Sequence, residues 1–293
     1  MSAIAVLTLA AGRHHHLLGQ VEGLGRAPAR PDLHVVVSMG DDALRRGDVP
    51  IGSPAWDTLI GYLPVRGTDL PLAQARNLAA RTAIDAGADV LVFLDVDCIP
   101  SATLVSEYTA AVRENRLGTR RAQTMSSAGP AVFGGDISYL PSAPDGGYVM
   151  NDLDSIGTLS TARPALALGE RYAESRFELF WSLSFAMSAA DFTASGGFCE
   201  DYRGYGGEDT DFAWILKTKG GSLTWIGGAR AYHQHHDSVM PPTQHIAAIV
   251  RNANVFYDRW GWWPMDGWLQ AFATQGLAAK QGPEGRWSVV HTP

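Results

Sequence analysis

Two short apolar runs, Ile4 to Leu9 and His34 to Ser38, are bounded by Gly, Pro and Asp near the start of the chain. Unbroken runs of this length mark strands buried on both faces. Between Leu72 and Ala88 the period changes. Leu72, Ala75, Leu78, Ala79, Thr82 and Ala83 share one face at helical spacing, and Gly87 stops the helix. VLVFLDVD follows as a further strand. This alternation predicts an α/β domain with a mostly parallel central sheet flanked by helices, whose ligands gather beyond the carboxyl ends of the strands. A second helix is expected after Pro100, with Ser101 near its cap and SATLVSEYTAAVREN supplying the apolar stripe. From Thr119 to about Arg171, Gly, Pro, Ser and Asp break the periodicity and no element is assigned. FELFWSLSFAMSAADFTASGG then reads as a strand and a short helix, GGEDTDFAWILKTKGG as an acidic turn opening an amphipathic helix, and SLTWIGGARAYHQHH as a strand and turn.

Three of these segments carry chemistry. LVFLDVDCIP leaves Asp95 and Asp97 at the mouth of a buried strand, where a charge without a partner is costly. Such a pair suits a divalent cation; the competing reading is a strand-end turn with solvated acids. In GYGGEDTDF, Gly206 and Gly207 permit close backbone approach while Glu208 and Asp209 sit at a helix N-terminus. Capping alone explains one acid, whereas a carboxylate poised to take a proton explains the pair with its glycines. AYHQHHD places His233, His235 and His236 within four positions, and imidazoles join carboxylates around transition metals and Mn. The triplet His14 to His16 lies in a polar, Gly-rich stretch and reads as solvated loop.

Composition narrows the function. With 293 residues, 46% of them hydrophobic, the chain can bury the core of one large domain or two closely joined ones. A net charge of -7 provides no basic field for nucleic acid. The two cysteines, Cys98 and Cys199, form neither a disulfide framework nor a zinc-like spacing. AIAVLTLAAG has no basic segment before it and is far shorter than the roughly 20 apolar residues of a spanning helix. A cytoplasmic protein without a transmembrane segment is expected, with peripheral membrane contact still open. RWGWWPMDGWLQAF holds four of the nine tryptophans and reads as a helix docked on the main body, an acceptor platform or membrane-facing edge being the other possibilities.

DVD at 95–97, GGED at 206–209 and AYHQ at 231–234, in that order, resemble the nucleotide-sugar glycosyltransferases of GT-A fold. The likeness is to family 2 enzymes with a galactosyltransferase-type C-terminal half, the group of bacterial chondroitin polymerase and the β-1,4-galactosyltransferases, and spans roughly residues 3–237. It implies a catalytic domain over 1–237, with a nucleotide-binding half (1–118) and an acceptor-binding half (119–237), and a C-terminal helical extension over 238–293. It also implies inverting transfer from a UDP-sugar to a glycan, glycolipid or small-molecule hydroxyl. In that comparison Asp97 would hold Mn2+ (or Mg2+) on the diphosphate, with His233 completing the metal site and His235 competing for that place. Asp95 would hold the ribose or donor sugar, Asp209 would be the base, and Glu208 would orient the acceptor. Ala10, Arg13 and Arg76 match nucleotide-facing positions, and Asp41, in SMGDD where relatives carry D-D-G-S, is a candidate uridine contact. Tyr205 replaces a galactosyltransferase tryptophan, as acceptor platform or core residue, and Trp181 either lines the donor sugar or packs in the core. Cys199 stands where relatives usually have Asp or Asn. The same acids and histidines would also serve a metal-dependent nucleotide-sugar hydrolase, and a non-catalytic carbohydrate- or nucleotide-binding module is the third reading.

Overall fold

The computed structural model describes residues 3–122, 129–282 and 285–290. The chain begins β1 (Ala3–Ala10), α1 (His14–Arg26), β2 (Leu33–Met39), α2 (Asp42–Arg46), β3 (Asp57–Leu63), α3 (Leu72–Asp85), β4 (Ala88–Leu94), β5 (Cys98–Pro100) and α4 (Leu104–Ala122). It continues β6 (Ala131–Tyr139), α5 (Leu153–Ile156), β7 (Thr158–Leu159), β8 (Arg171–Glu174), β9 (Ser184–Ser188), α6 (Ala189–Ser195), α7 (Glu208–Thr218) and β10 (Ser222–His233). The strands form one sheet in the order β3-β2-β1-β4-β9-β6-β10-β5, with β7 beside β6 and β8 beside β10. Pairing is parallel from β3 through β2 and β1 to β4, and again between β6 and β10; β9, β5, β7 and β8 join antiparallel. The expected helix-flanked α/β sheet is therefore present.

Small side chains explain how closely the helices approach. In α3, Ala73, Ala75, Ala79, Ala80 and Ala83 are all buried in the core cluster that contains Leu7, Val35 and Phe93. A second cluster holds Val6, Leu104, Tyr108 and Val112 with Phe133 and Ala231. Helix α1 departs from the solvated loop read for His14–His16. Its glycines are packing positions: a Cβ on Gly19 would press on Gln234 and one on Gly23 on Ile99 and Pro100. Pro100 likewise ends a short extra strand, so the second helix starts at Leu104.

His34 on β2 has no exposed surface, and its Nε2 lies 3.2 Å from the Thr8 hydroxyl. Burial lowers its pKa to about 4. The folded imidazole thus stays neutral where the unfolded one charges, so stability present above about pH 6.5 is lost as pH falls toward 4, by about 3 kcal/mol. Urea unfolding should show wild type losing that amount more stability than His34→Leu from pH 7 to pH 4. A difference between the two that is independent of pH contradicts a buried neutral imidazole.

Beyond residue 237 come α8 (Ile246–Trp260), α9 (Asp266–Thr274) and a hairpin of β11 (Ala278–Lys280) and β12 (Trp287–Val289). They share a small core of Ile246, Ile249, Leu269, Phe272 and Trp287. Asp211 on α7, fully buried, ties this unit to the sheet by accepting from Arg259 Nε (2.7 Å), Trp260 Nε1 (2.6 Å) and the Tyr202 hydroxyl (3.1 Å). Among the described residues no helix is long and apolar enough to cross a membrane.

Candidate active site

The turn between β4 and β5 presents Asp95 and Asp97. The Asp95 N–H donates to the Leu183 carbonyl and the Cys98 N–H to that of Asp95, both at 2.9 Å. Strand β5 pairs with the end of β10 so that His233 faces Cys98, and the Gln234 N–H donates to the Asp97 carbonyl at 2.7 Å. This register brings two distant parts of the chain together. Donor atoms of Asp97, His233 and His236 all lie within 4.8 Å of one another. His233 Nε2 is 3.8 Å from Asp97 Oδ1, and His236 Nε2 is 3.5 Å from Oδ2. His235 is turned outward, its Nδ1 3.3 Å from the Ser142 hydroxyl. The strand ends at His233, so the alternation that would align 233 with 235 stops there, and the chain returns His236 to the cluster. His236 is the residue the sequence reading left out of the metal set.

Two imidazoles and one carboxylate form a donor set suited to a first-row divalent ion. The donor atoms lie close enough together for small side-chain adjustments to draw them onto one ion. Asp97 is only 7% exposed. Burial would raise its pKa, but the hydrogen bond from His236 and the charges of His233 and Arg13 hold it down at about 2. Arg13, in left-handed conformation (φ 51°) just before α1, donates to Asp97 Oδ2. Burial lowers the His233 pKa, and the hydrogen bond to Asp97 raises that of His236.

Arg76 is the partner the buried acids require. It is 4% exposed and reaches Asp95 Oδ1 at 3.3 Å and Glu208 Oε1 at 3.2 Å. Burial works against its charge, but Asp95, Glu208 and Asp209 together keep its pKa above the ordinary value. Gly206 (φ 90°) and Gly207 (φ 94°) take conformations open chiefly to glycine and swing the chain so that Glu208 and Asp209 open α7. Burial and the Asp209 charge push Glu208 up to about 7, and its Oε2 is buried without a partner. Burial also raises Asp209, which accepts from the Thr210 N–H at 2.7 Å, and takes Asp95 to about 6. A plain capping carboxylate would be lowered by amides and helix dipole. These three acids go up while Asp97 goes down, the separation expected of groups with different proton-handling roles.

The other singled-out residues have the following surroundings. Ala10 is fully buried in a cluster with Leu17, Val36 and Val96 and offers no surface of its own to a ligand. Asp41 accepts from the Ala43 and Leu44 amides at one oxygen and from the Gly12 amide and His14 at the other. Trp181 is half-buried, its ring 5.6 Å from the guanidinium carbon of Arg163. Tyr205, 43% exposed, stacks with His245 at 4.8 Å and Trp268 at 5.9 Å, both from the C-terminal unit. Burial and the Asp209 and Glu208 charges push its hydroxyl up to about 12. Cys199 Sγ lies 3.7 Å from Asp201.

A family model described as the N-terminal domain of galactosyltransferase matches residues 164–237. Over 188 residues the chain is 27% identical to hyaluronan synthase from Pasteurella multocida, a match covering 60% of this chain and 19% of the relative. The chain therefore spans about a fifth of that relative's length. Among solved structures, GalNAc-T7 with UDP, GalNAc and Mn2+ superimposes with a TM-score of 0.54 at 16% identity, over 88% of this chain and 50% of that one. Residues 1–349 of Staphylococcus aureus TarS give 0.52 at 14% identity, over 87% and 65%.

Proposed function

We propose that this chain, which shares the fold of the superimposed glycosyltransferase structures and carries a galactosyltransferase-type segment at 164–237, moves a hexose from a UDP-sugar to an acceptor hydroxyl with inversion. The observation that carries the proposal is one group of carboxylates of opposite character, with Asp95 feeling the charges of both Asp97 and Asp209: Asp97 is held ionised beside two imidazoles, and Asp209 and Glu208 are raised by burial, with Arg76 bridging Asp95 to Glu208. Asp97, His233 and His236 would hold Mn2+ or Mg2+, which when bound offsets the negative charge growing on the diphosphate.

The remaining work belongs to this chain's own side chains. Asp209 takes the proton from the acceptor hydroxyl as its oxygen attacks the anomeric carbon. Attack from the face opposite the leaving group inverts the centre, as in inverting hydrolases. Glu208 orients the acceptor, Arg76 holds Glu208 and Asp95 in place, and Arg13 directs positive charge at the phosphates. Tyr205, braced by His245 and Trp268, forms a wall on the acceptor side. Residues 1–237 would form the catalytic domain and 238–293 an extension that completes this wall. The acceptor is a glycan, glycolipid or small molecule, and the two unpaired cysteines suit a cytoplasmic site of action.

A thermal-shift panel tests the reading. UDP and UDP-sugars should raise the melting temperature in the presence of Mn2+ and lose that effect without it, and UDP release should require an acceptor. Donor cleavage at equal rates with and without acceptor would make the protein a hydrolase, and binding without turnover a binding module.

A further inference from the structure

Gln20 lies inside α1, has no exposed surface, and uses both ends of its side-chain amide. Its Nε2 donates to the main-chain oxygens of Asp95 at 2.8 Å and Cys98 at 3.1 Å, with the Leu94 oxygen at 3.4 Å. Its Oε1 accepts from the Thr8 hydroxyl at 2.7 Å. A buried primary amide is costly unless satisfied, and this one is satisfied by backbone on both sides of Asp97.

Gln234 grips the same turn from the other side. Its N–H donates to the Asp97 carbonyl at 2.7 Å, and its side-chain Nε2 donates to the His16 carbonyl at 2.9 Å. His16 and Gln20 stand four residues apart on one helical face. A single turn of α1 is thereby bonded to the Asp95–Cys98 turn and to the segment that carries His233 and His236. Gly19 lies in that turn, where a Cβ would crowd the Gln234 side chain.

We infer that Gln20 is a positioning residue of the candidate metal centre: it fixes the backbone that carries Asp97, while Gln234 fixes the histidine segment against the same helical turn. The inference rests on the proposed role of Asp97, and neither glutamine side chain is placed on the ion or the substrate. Outer partners that orient metal ligands are worth tenfold to a hundredfold in metal affinity.

The test uses the full chain with Cys199→Ser, so that Cys98 is the sole thiol. Cys98 is fully buried beside Asp97, and its reaction with a thiol reagent in metal-free protein reports local opening of the turn. Gln20→Met keeps side-chain length and removes the amide. Leu216→Ala, in a separate core cluster, supplies a control for general loss of stability, with denaturant added until the two variants have equal unfolding free energy. Gln20→Met should then react at Cys98 at least tenfold faster than the control and bind Mn2+ tenfold to a hundredfold more weakly in an electron paramagnetic resonance titration with UDP. Equal thiol rates in the two variants, or unchanged Mn2+ affinity in Gln20→Met, would overturn the inference. A wild-type chain that binds no Mn2+ would instead contradict the proposed function, and the metal-free thiol rates still decide whether Gln20 holds the turn.

Discussion

Asp209→Asn is expected to keep donor binding and to lose transfer by roughly a hundredfold to ten-thousandfold, the range for a general base. The substitution is close to isosteric, and its side-chain oxygen can still accept from the Thr210 N–H. What it removes is the ability to take a proton. The carboxylate it replaces has a pKa raised by burial, which makes it a stronger base than a solvated aspartate. Single-turnover transfer at saturating UDP-sugar should fall by that factor while UDP affinity with Mn2+ stays within about twofold. Near-normal turnover would remove Asp209 from the mechanism.

Asp211→Ala is expected to cost about 3 kcal/mol, because the Tyr202 hydroxyl and the Trp260 N–H lose a charged common acceptor, at about 1–3 kcal/mol for each buried donor left unmade, while the exposed Arg259 regains water. Arg259 would lose both carboxylate oxygens, and the Trp260 N–H and Tyr202 hydroxyl would lose their common acceptor. The melting temperature should drop by about 5 °C for a chain of this size. A loss below about 1 kcal/mol in urea would show that these donors find other partners. Asp209 and Asp211 are two positions apart in GGEDTD, yet one stands with Glu208 beside Arg76 and the other anchors the C-terminal unit. Motif spacing could not separate them, since Arg259 and Trp260, the partners of Asp211 in the C-terminal unit, lie 48 and 49 residues downstream.

Legibility followed the physics of each segment. Strands with unbroken apolar runs, such as LVFL, and the alanine face of α3 declared themselves because burial on one pattern leaves one solution. Helix α1 did not, because its glycines make room for Gln234, Ile99 and Pro100 rather than marking a loop. Strand β6 was hidden by the Gly134–Gly135 pair, which lies against Trp225 and Ala229. In the site, the acids at 95, 97, 208 and 209 were visible as types and positions. That Asp95, Glu208 and Asp209 share Arg76 was not, since a guanidinium bridging positions 95 and 208 leaves no local trace. His236 was missed for a related reason: the end of β10 decides which imidazole turns inward, and that end is set by pairing with β5 and β6.

The proposed function requires one divalent ion held by Asp97 with His233 and His236 beside the diphosphate of a UDP-sugar. Calorimetric titration of UDP into wild type and Asp97→Ala, each with and without Mn2+, addresses this directly. Wild type should bind UDP tightly only with Mn2+, and Asp97→Ala should lose that dependence while its circular dichroism spectrum and unfolding cooperativity are unchanged. UDP affinity with Mn2+ that is the same in both proteins would contradict it.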